Sequence, residues 1–337
     1  MKLGRRLEAW RLLRRARARG VELITLELNI GLGAAARCGQ LSHALALLQE
    51  MRRVSRTSGG TSLSRIAPDV GSYDALLFPL ASAGRFSELL RLFDEMQEDG
   101  LAPIEPHYIL ALRACAEQGL GMRAATILLR MQARGMRYGR AAAVAMVACN
   151  RARTYETSLD IFRALQRDSA DRQRHARGTA LSGELDGSPA TTSPEALHNP
   201  FRSVAVFNVA IQAMRKQGLA EEAVELVRAM RREFAVAPDH VTFGTALAAC
   251  REVGEPALLT MILEALFQEV ELQTAGRASQ KNGPPLSPFL PSDEMHAELI
   301  GSFGRFGEPR RALRLFAQVH RKQHFRHMFI SPFPSLC

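Results

Sequence analysis

Apolar residues recur along this chain at helical spacing, and one such stretch follows each of several glycines. In the stretch after Gly84 charged residues alternate with apolar ones, which are Phe86, Leu89, Leu90, Phe93 and Met96. This period predicts an amphipathic helix. The preceding residues 73–83 are more apolar and predict a second helix. Each unit is therefore predicted to be a helical hairpin, closed by a Gly or Pro connector such as residues 100–103.

The hairpin pattern repeats along the chain. Stretches of similar sequence occur three times, at residues 39–51, 84–96 and 218–230. Gly84 and Gly119 lie 35 residues apart, whereas Gly39 and Gly84 lie 45 apart because the loop-like residues 53–66 are inserted between them. Self-similarity at this period predicts an all-α fold, an α-solenoid superhelix in which each repeat packs against its neighbours.

Two segments make the pattern more specific. Residues 238–247 begin with Pro-Asp, and residues 206–211 contain Phe-Asn beside a turn glycine and the helix that follows it. Together with the period and the closing Met, these segments resemble pentatricopeptide repeats. The resemblance implies about seven helix-turn-helix repeats, which we number 1 to 7: residues 25–69, 70–104, 105–139, 140–168, 204–239, 240–267 and 293–327.

Two other folds were weighed against this prediction. Tetratricopeptide repeats have the same hairpin and a period of roughly 34 residues, but they carry a Trp/Gly/Tyr and Pro pattern that this chain lacks. Its single tryptophan, Trp10, lies in the basic leading segment. An ordinary helical bundle is the second alternative, and the single frame kept across so many glycines argues against it.

Composition separates several segments from the repeats. Residues 169–203 and 268–292 have little apolar content and are predicted to be a flexible linker and a flexible loop, and residues 328–337 form a tail. Residues 1–24 are rich in Arg and poor in acids, as in a transit peptide. Their apolar positions also fit the second helix of a half repeat, which we favour. No apolar run reaches the length of about 18 residues that would predict a membrane span.

The chain lacks the motifs of metal sites and catalysis. Its five cysteines form no Cys-x-x-Cys pair, and Cys115, Cys149 and Cys250 occupy equivalent places in first helices, where a small buried residue is expected. The histidines at 320, 324 and 327 have no acid or thiol nearby and are interpreted as a solvated basic end. No nucleophile-elbow, phosphate-loop or deaminase motif occurs. The sequence predicts a binding protein that is not an enzyme, with no cofactor, metal or small-molecule substrate.

The net charge of +10 favours a nucleic-acid partner. Most of it lies at the two ends, in residues 1–20 and 305–327, and the repeats between them are net acidic. The position two residues before each turn nevertheless holds, in order, Arg37, Ser82, Glu117, Arg151, Lys216, Glu252 and Arg305. The family resemblance implies that this position faces RNA phosphates, which assigns that role to Arg37, Arg151, Lys216 and Arg305. Ordinary solvated charge is the alternative.

The resemblance also implies that some repeats read one RNA base each, through a polar residue early in the first helix and the last residue of the repeat. Asn29 with Asp69, and Asn208 with Asp239, match the uracil-favouring pair of the family. The other repeats depart from that pattern, with Asp74 and Ile104, Ile109 and Gly139, Ala143, Gly244 and Ala297. Apolar side chains cannot hydrogen-bond a base, so reading by most repeats is not expected.

Two functions are consistent with these features. The first is an organellar protein that binds single-stranded RNA and acts in transcript processing, stability or translation, located in a chloroplast or mitochondrion as the resemblance implies. The second is a scaffold that holds protein partners or structured RNA in a ribonucleoprotein such as a mitochondrial ribosome. The family resemblance favours the first function, and the incomplete base-reading positions favour the second.

Overall fold

A computed structural model describes residues 24–57, 66–136, 138–181, 201 and 203–279, together with Arg15 and Arg19. All regular elements in these ranges are helices. They form six consecutive pairs: α1 (Thr25–Arg37) with α2 (Leu41–Thr57), α3 (Val70–Ser82) with α4 (Phe86–Glu98), α5 (Glu105–Gln118) with α6 (Gly121–Ala133), α7 (Gly139–Arg151) with α8 (Tyr155–Leu181), α9 (Val204–Gln217) with α10 (Ala220–Phe234), and α11 (His240–Val253) with α12 (Pro256–Ser279). The predicted all-α repeat fold is confirmed.

The helix pairs belong to two compact bodies, Met1–Pro194 and Glu195–Cys337. In the N-terminal body the first helices α1, α3, α5 and α7 pack side by side in order, and each also packs against the second helix of its own pair. In the C-terminal body α9 packs against α11 in the same way, and α10 packs against α12. Within each body the helices thus form two layers, one of first helices and one of second helices.

The turn within a pair depends on a residue in the left-handed backbone region. Gly119 ends α5 with φ 67°, and equivalent glycines adopt φ between 71° and 84° in repeats 1, 2, 5 and 6. This region is open to glycine because it has no Cβ. In repeat 4 the position is occupied by Arg153, with φ 61°. The sequence period therefore arises from a recurring backbone requirement.

The core is built mainly from Leu and Ala on the facing sides of the helices, together with Met and several aromatic side chains. Tyr73, Phe93 and Tyr108 are fully buried, and the rings of Phe93 and Tyr108 meet edge to face with their centroids 5.4 Å apart. The three equivalent cysteines Cys115, Cys149 and Cys250 are also fully buried, as expected for small core residues. Burial raises the pKa of the Cys115 thiol to about 11, so this thiol is protonated at neutral pH.

Two segments that the sequence predicts to be flexible begin inside helices. The predicted linker, residues 169–203, overlaps α8, which continues to Leu181, and the predicted loop, residues 268–292, overlaps α12, which continues to Ser279. The prediction was wrong for these first residues. Ala, Arg, Gln and Glu have favourable helix propensity, and extending an existing helix avoids the cost of a new nucleus. Low apolar content therefore did not end the helices.

Several predictions concern residues outside the described ranges. These are the half repeat at 1–24 apart from Arg15, Arg19 and Ile24, the remainder of the linker and loop apart from Phe201 and Ser203, repeat 7 at 293–327 with Arg305 and Ala297, the histidines at 320, 324 and 327, and the tail at 328–337. Phe201, inside the predicted linker, is fully buried against Phe207 and Phe234, so the flexible-linker prediction was also wrong at this residue. Among the helices that the structure describes, none combines the length and the apolar character needed to cross a membrane.

Candidate nucleic-acid interface

The exposed side of the first helices in the N-terminal body forms a surface of charged residues interspersed with apolar ones. We call it the first-helix surface and define it by the exposed residues Ile30, Arg37, Asp74, Phe78, Arg113 and Glu117. These residues come from α1, α3 and α5, which lie side by side. An extended ligand that crosses consecutive repeats would meet these positions in turn.

The first predicted base-reading pair is formed at the junction of repeats 1 and 2. Asn29, on α1, donates from Nδ2 to Oδ1 of Asp69 at 2.9 Å. Asp69 is the N-cap of α3 and accepts from the backbone N–H of Ser72 at 2.8 Å. The buried hydroxyl of Ser72 lies 2.6 Å from Oδ1 of Asn29, to which it donates. The two residues are thus brought together, 40 positions apart, and the amide is held at both ends.

The second predicted pair has the same construction in the C-terminal body. Asn208, on α9, donates from Nδ2 to Asp239, with Oδ1 at 3.2 Å and Oδ2 at 3.4 Å. Asp239 is the N-cap of α11 and accepts from the N–H of Thr242 at 2.8 Å. The buried Thr242 hydroxyl donates to Oδ1 of Asn208 at 2.6 Å. We call each set, Asn29–Asp69–Ser72 and Asn208–Asp239–Thr242, an amide triad.

The aspartates of both amide triads are held in the charged form. Partial burial opposes ionisation of Asp69, but hydrogen bonds from Asn29 and Ser72 outweigh it and lower the pKa of the carboxyl below its usual value. The pKa of Asp239 is lowered in the same way, against burial, by hydrogen bonds from Thr242 and Asn208. A charged Asp can only accept, which fixes Nδ2 of each Asn as the donor towards it.

The sequence analysis did not identify Ser72 and Thr242 as parts of these sites. The sequence signal for them is the spacing Asp-x-x-Ser or Asp-x-x-Thr at the start of a first helix. In this capping arrangement the side chain of each of the two residues accepts from the backbone N–H of the other. This capping arrangement is visible in the sequence. Only the packing of neighbouring first helices shows that the same hydroxyl also reaches the Asn of the preceding repeat.

The predicted phosphate-binding residues differ in their surroundings. Arg37 and Lys216 are exposed, and no ion pair holds either of them within the described residues. Arg151, by contrast, forms an ion pair with Glu117 at 2.8 Å and also donates to the carbonyl oxygen of Ala116 at 3.1 Å. Arg37 and Lys216 are therefore available to an anion, whereas Arg151 is neutralised by the preceding repeat. Arg305 lies outside the described residues.

The other positions that lie two residues before a turn carry no free cation in the described part of the chain. The hydroxyl of Ser82 donates to the carbonyl oxygen of Phe78 on its own helix at 3.1 Å. Glu252 accepts a hydrogen bond from Nε of Arg215 at 2.9 Å. This hydrogen bond has the largest effect on the pKa of the Glu252 carboxyl and lowers it below its usual value. Of the described residues two positions before a turn, two are therefore unpaired cations, and the others are neutral or held in ion pairs.

The other candidate base-reading positions follow the sequence expectation in part. Ile109, Ala143 and Gly244 are half-buried and offer no side-chain hydrogen bond. Asp74 differs from them because its carboxylate is 54% exposed and contacts the buried imidazole of His107. No group of His, Cys, Asp and Glu that could hold a metal ion occurs within the described ranges.

Paired helices with a recurring left-handed turn define a helical-hairpin repeat protein. A family model for the PPR repeat, the pentatricopeptide repeat, matches residues 32–55, 72–101 and 205–233. These segments lie in repeats 1, 2 and 5 and span the turn between the paired helices. The chain therefore contains pentatricopeptide repeats at these three places.

Solved structures with likeness to the chain were also found. The crystal structure of the pentatricopeptide repeat protein PPR10 in complex with an 18-nt psaJ RNA element is 19% identical, with a TM-score of 0.36, and the match covers 92% of this chain and 42% of that one. The crystal structure of PPR10 from maize is 18% identical, with a TM-score of 0.33, and the match covers 94% and 47%. The chain therefore spans less than half the length of either. No curated protein matches it.

Proposed function

We propose that this protein binds single-stranded RNA along its first helices and acts in an organelle on the processing, stability or translation of transcripts. The observation that carries the proposal is the pair of amide triads, which form with the same hydrogen-bond pattern at the junction of repeats 1 and 2 and at the junction of repeats 5 and 6. The family resemblance supplies the ligand class, since single-stranded RNA displays unpaired base edges that side chains can read.

The hydrogen-bonding capacity left in each triad suits a base edge. The Asn29 amide has two N–H donors and two carbonyl lone pairs, of which one each is used by Asp69 and Ser72. One donor and one acceptor remain. Uracil presents an N–H between two carbonyl oxygens and matches this pattern. An amide already held at both ends loses little conformational freedom when it binds, which favours affinity.

Backbone contacts would come from the free cations. Arg37 and Lys216 are exposed and make no ion pair with described residues, so each can neutralise one phosphate. Arg151 contributes only if its ion pair with Glu117 opens. RNA binding by the described residues therefore rests on few phosphate contacts, and the triads carry the choice of sequence.

The test is a comparison of oligonucleotides by fluorescence anisotropy, with the purified protein at near-physiological salt. Oligoadenylates that contain two uracils at varied spacing are measured against oligoadenylate alone, single-stranded DNA and duplex RNA. The Asn29→Ala and Asn208→Ala changes together should reduce the preference for uracil about tenfold, since a well-placed pair of base contacts contributes about 1–3 kcal/mol. Gln268→Ala, which removes an exposed amide from the second helix α12 and leaves the first helices unchanged, should leave this preference unchanged.

A uracil preference that survives the double substitution would reject the triads as base readers. Failure of the unaltered protein to bind any single strand would favour the scaffold, the second candidate function. One observation supports that candidate: Met122 and Leu129, seven residues apart on α6, are each 63% exposed. They provide an apolar strip of second-helix surface that a protein partner in a ribonucleoprotein could cover.

The organellar location is part of the proposal and rests on the family resemblance. It is tested by incubating the radiolabelled full-length precursor with isolated mitochondria and chloroplasts and then treating with protease. Protected protein in one organelle supports the proposal. Protein that remains accessible in both preparations would contradict it, while RNA binding in solution would be unaffected.

A further inference from the structure

The junction of repeats 2 and 3 contains a third polar arrangement, built from different residues. Asp74 on α3, Ile104 before α5 and His107 on α5 occupy the positions of Asn29, Asp69 and Ser72 in the first amide triad. Asp74 and His107 are in direct contact, as are Asn29 and Ser72. The junction thus keeps the contact between the first-helix residue and the fourth capping residue, while Ile104 offers no side-chain hydrogen bond where the amide triads have an aspartate.

The surroundings of His107 fix its tautomer. Nδ1 lies 3.2 Å from the backbone nitrogen of Ile104, and this nitrogen can only donate. Nδ1 is therefore the acceptor, and the ring proton sits on Nε2, which faces Asp74. The imidazole is 1% exposed and has no other role in the described contacts than to cap α5 and to donate to Asp74. It is a positioning residue that orients the carboxylate.

Asp74 presents an acceptor to solvent. Its Oδ1 receives the His107 proton, and within the described residues the second oxygen has no partner, while the side chain is 54% exposed. An ionised carboxylate accepts hydrogen bonds and donates none. At this position the protein therefore offers two adjacent acceptor oxygens, where the amide triads offer one donor and one acceptor.

Phe78 adds an aromatic face beside the carboxylate. It follows Asp74 by four residues on α3, so both side chains lie on the same side of the helix, one turn apart. Its ring is 67% exposed, whereas the other phenylalanines of α3 and α4 are buried or half-buried. Exposing a phenyl ring forgoes the hydrophobic stabilisation of burying it. Stacking of a base on such a ring contributes about 1–3 kcal/mol in single-strand binding proteins.

Two cations lie in the same row of the first-helix surface. Arg113 on α5 is the residue equivalent to Phe78 on α3. It is exposed, and it makes no ion pair within the described residues. On α1 the same position is Gly33, where the guanidinium of Arg37 lies 3.0 Å from the place a Cβ would take. These cations offset the repulsion between the Asp74 carboxylate and RNA phosphates.

We propose that Asp74 and Phe78 form a guanine-binding position in repeat 2, in which Phe78 stacks on the base and the His107-oriented carboxylate accepts from its edge. Guanine is the base whose Watson–Crick edge carries two adjacent donors, N1–H and the N2 amino group, which match two carboxylate oxygens. Uracil would place its carbonyl oxygens, which are acceptors, against the acceptor oxygens of the carboxylate. Adenine and cytosine each offer a single donor, and it lies beside an acceptor nitrogen. This inference rests on the proposed single-strand RNA binding and adds a base class that the amide triads do not select.

The test uses oligoadenylates that contain one uracil, which is expected to bind at the Asn29 triad. The base next to this uracil, on its 5′ or its 3′ side, is varied. Guanine, inosine, adenine, cytosine and uracil are compared by fluorescence anisotropy with the full chain. On one side of the uracil, guanine should bind about tenfold tighter than uracil. Inosine, which lacks the N2 amino group, should fall between them. Phe78→Leu should weaken binding of every base there, by about fivefold or more.

The decisive variant is Asp74→Asn. The new carbonyl oxygen still accepts from His107, and the new amide directs N–H donors at the base, so the preference for guanine over uracil should disappear or reverse. Asp160→Asn makes the same charge change on α8, where the side chain is 66% exposed, and should leave the preference intact. A guanine preference that is absent in the unaltered protein, or unaffected by Asp74→Asn, overturns the inference.

The two proposals fail in distinguishable ways. If uracil preference depends on Asn29 while the varied base has no effect, the guanine position is rejected and the proposed RNA binding stands. If no single strand binds, the proposed function itself is rejected and the inference falls with it. Thermal unfolding of each variant checks that a loss of binding is not a loss of fold.

Discussion

At the scale of single residues, the groups proposed to read RNA also hold the fold. Asp69 caps α3 and orients Asn29, and Asp239 does the same for α11 and Asn208. One carboxylate therefore serves two neighbouring repeats. Stability and base reading are coupled at these positions, and a substitution there should be followed by both measurements.

The depressed pKa of Asp69 makes part of the stability depend on pH. A carboxyl with a lower pKa in the folded than in the unfolded chain contributes stability that is fully present above the unfolded value of about 4 and is lost as the pH falls through the folded value. Asp69→Asn keeps a good cap without the charge. The unfolding free energy of the unaltered protein should exceed that of the variant at neutral pH, by up to about 1 kcal/mol, and the difference should shrink below about pH 4.

Chemical denaturation at a series of pH values measures this difference. The matched control is Asp160→Asn, which removes a carboxylate that caps no helix and is 66% exposed. A difference between Asp69→Asn and the unaltered protein that grows as the pH falls would contradict the assignment of Asp69 as a stabilising charged cap.

At the scale of helices and turns, repeat 4 departs from the others. Its turn residue Arg153 has φ 61°, the conformation that glycine adopts in the other described turns within a pair. For a residue with a Cβ this conformation costs roughly 1–2 kcal/mol. The turn between α7 and α8 is therefore strained relative to the equivalent turns.

Arg153→Gly should stabilise the protein. It removes the clash of the Cβ, and the greater flexibility of glycine in the unfolded chain offsets part of the gain, so we expect about 0.5–1 kcal/mol. The midpoint of denaturant unfolding is the measurement. Gly119→Ala, at the equivalent turn with φ 67°, should have the opposite effect. Destabilisation by Arg153→Gly would show that the Arg153 side chain contributes more than its backbone costs.

Second helices of neighbouring repeats are joined by ion pairs at equivalent positions. Arg52 on α2 is 6% exposed and bonds to Asp99, just after α4, from Nε at 2.8 Å, and its Nη1 reaches Glu95 at 2.7 Å. In the C-terminal body Arg231 bonds Glu269 through Nε at 2.6 Å. Asp99 and Glu269 each follow the turn glycine of their repeat by 15 residues. The repeated register shows that this contact belongs to the way repeats stack.

Arg52→Ala should destabilise the N-terminal body strongly. It leaves the carboxylates of Glu95 and Asp99, which are only 13% and 15% exposed, without their main cation, and loss of one partner of a buried pair costs about 3–5 kcal/mol. Arg56→Ala is the matched control, since Arg56 is 64% exposed and lies 3.4 Å from Asp99. It should cost less than about 1 kcal/mol by denaturant unfolding. Equal effects of the two changes would contradict the role assigned to burial.

At the scale of the whole molecule, the excess positive charge is unevenly available. The chain carries a net charge of +10, yet the described first helices hold some of their cations in ion pairs with the neighbouring repeat, as Arg151 with Glu117 and Arg215 with Glu252. Counting basic residues therefore overstates the number that can meet phosphates. The salt dependence of RNA binding reports the number that do.

Glu117→Gln should increase RNA affinity and its salt dependence. The change removes the carboxylate that holds Arg151, and one further cation available to a single strand steepens the slope of log affinity against log salt by about 0.7. The slope is measured by anisotropy titrations at several salt concentrations. Glu88→Gln breaks the ion pair with Arg85 at the start of α4 and makes the same change in net charge. Equal slopes for the two variants would place Arg151 away from the bound RNA.

The sequence was informative about local structure and less so about contacts between repeats. Helix starts at Val70, Glu105 and His240 agree with the repeat limits inferred from the pattern, because the turn residues and caps that set them are local in the chain. The extent of α8 was underestimated, because flanking composition was weighed above helix propensity. The pairing of Arg151 with Glu117, 34 residues earlier, had no local signal.

By itself, then, the sequence determined the repeating hairpin, the turns and the identity of the residues that line each first helix, since all of these follow from backbone preferences and from apolar spacing within about 35 residues. The tertiary structure alone decided which polar groups meet: Ser72 with Asn29, His107 with Asp74, and Glu117 with Arg151. Side-chain partners across a helix interface depend on the distance and orientation of the packed helices, and these are properties of neighbouring repeats together.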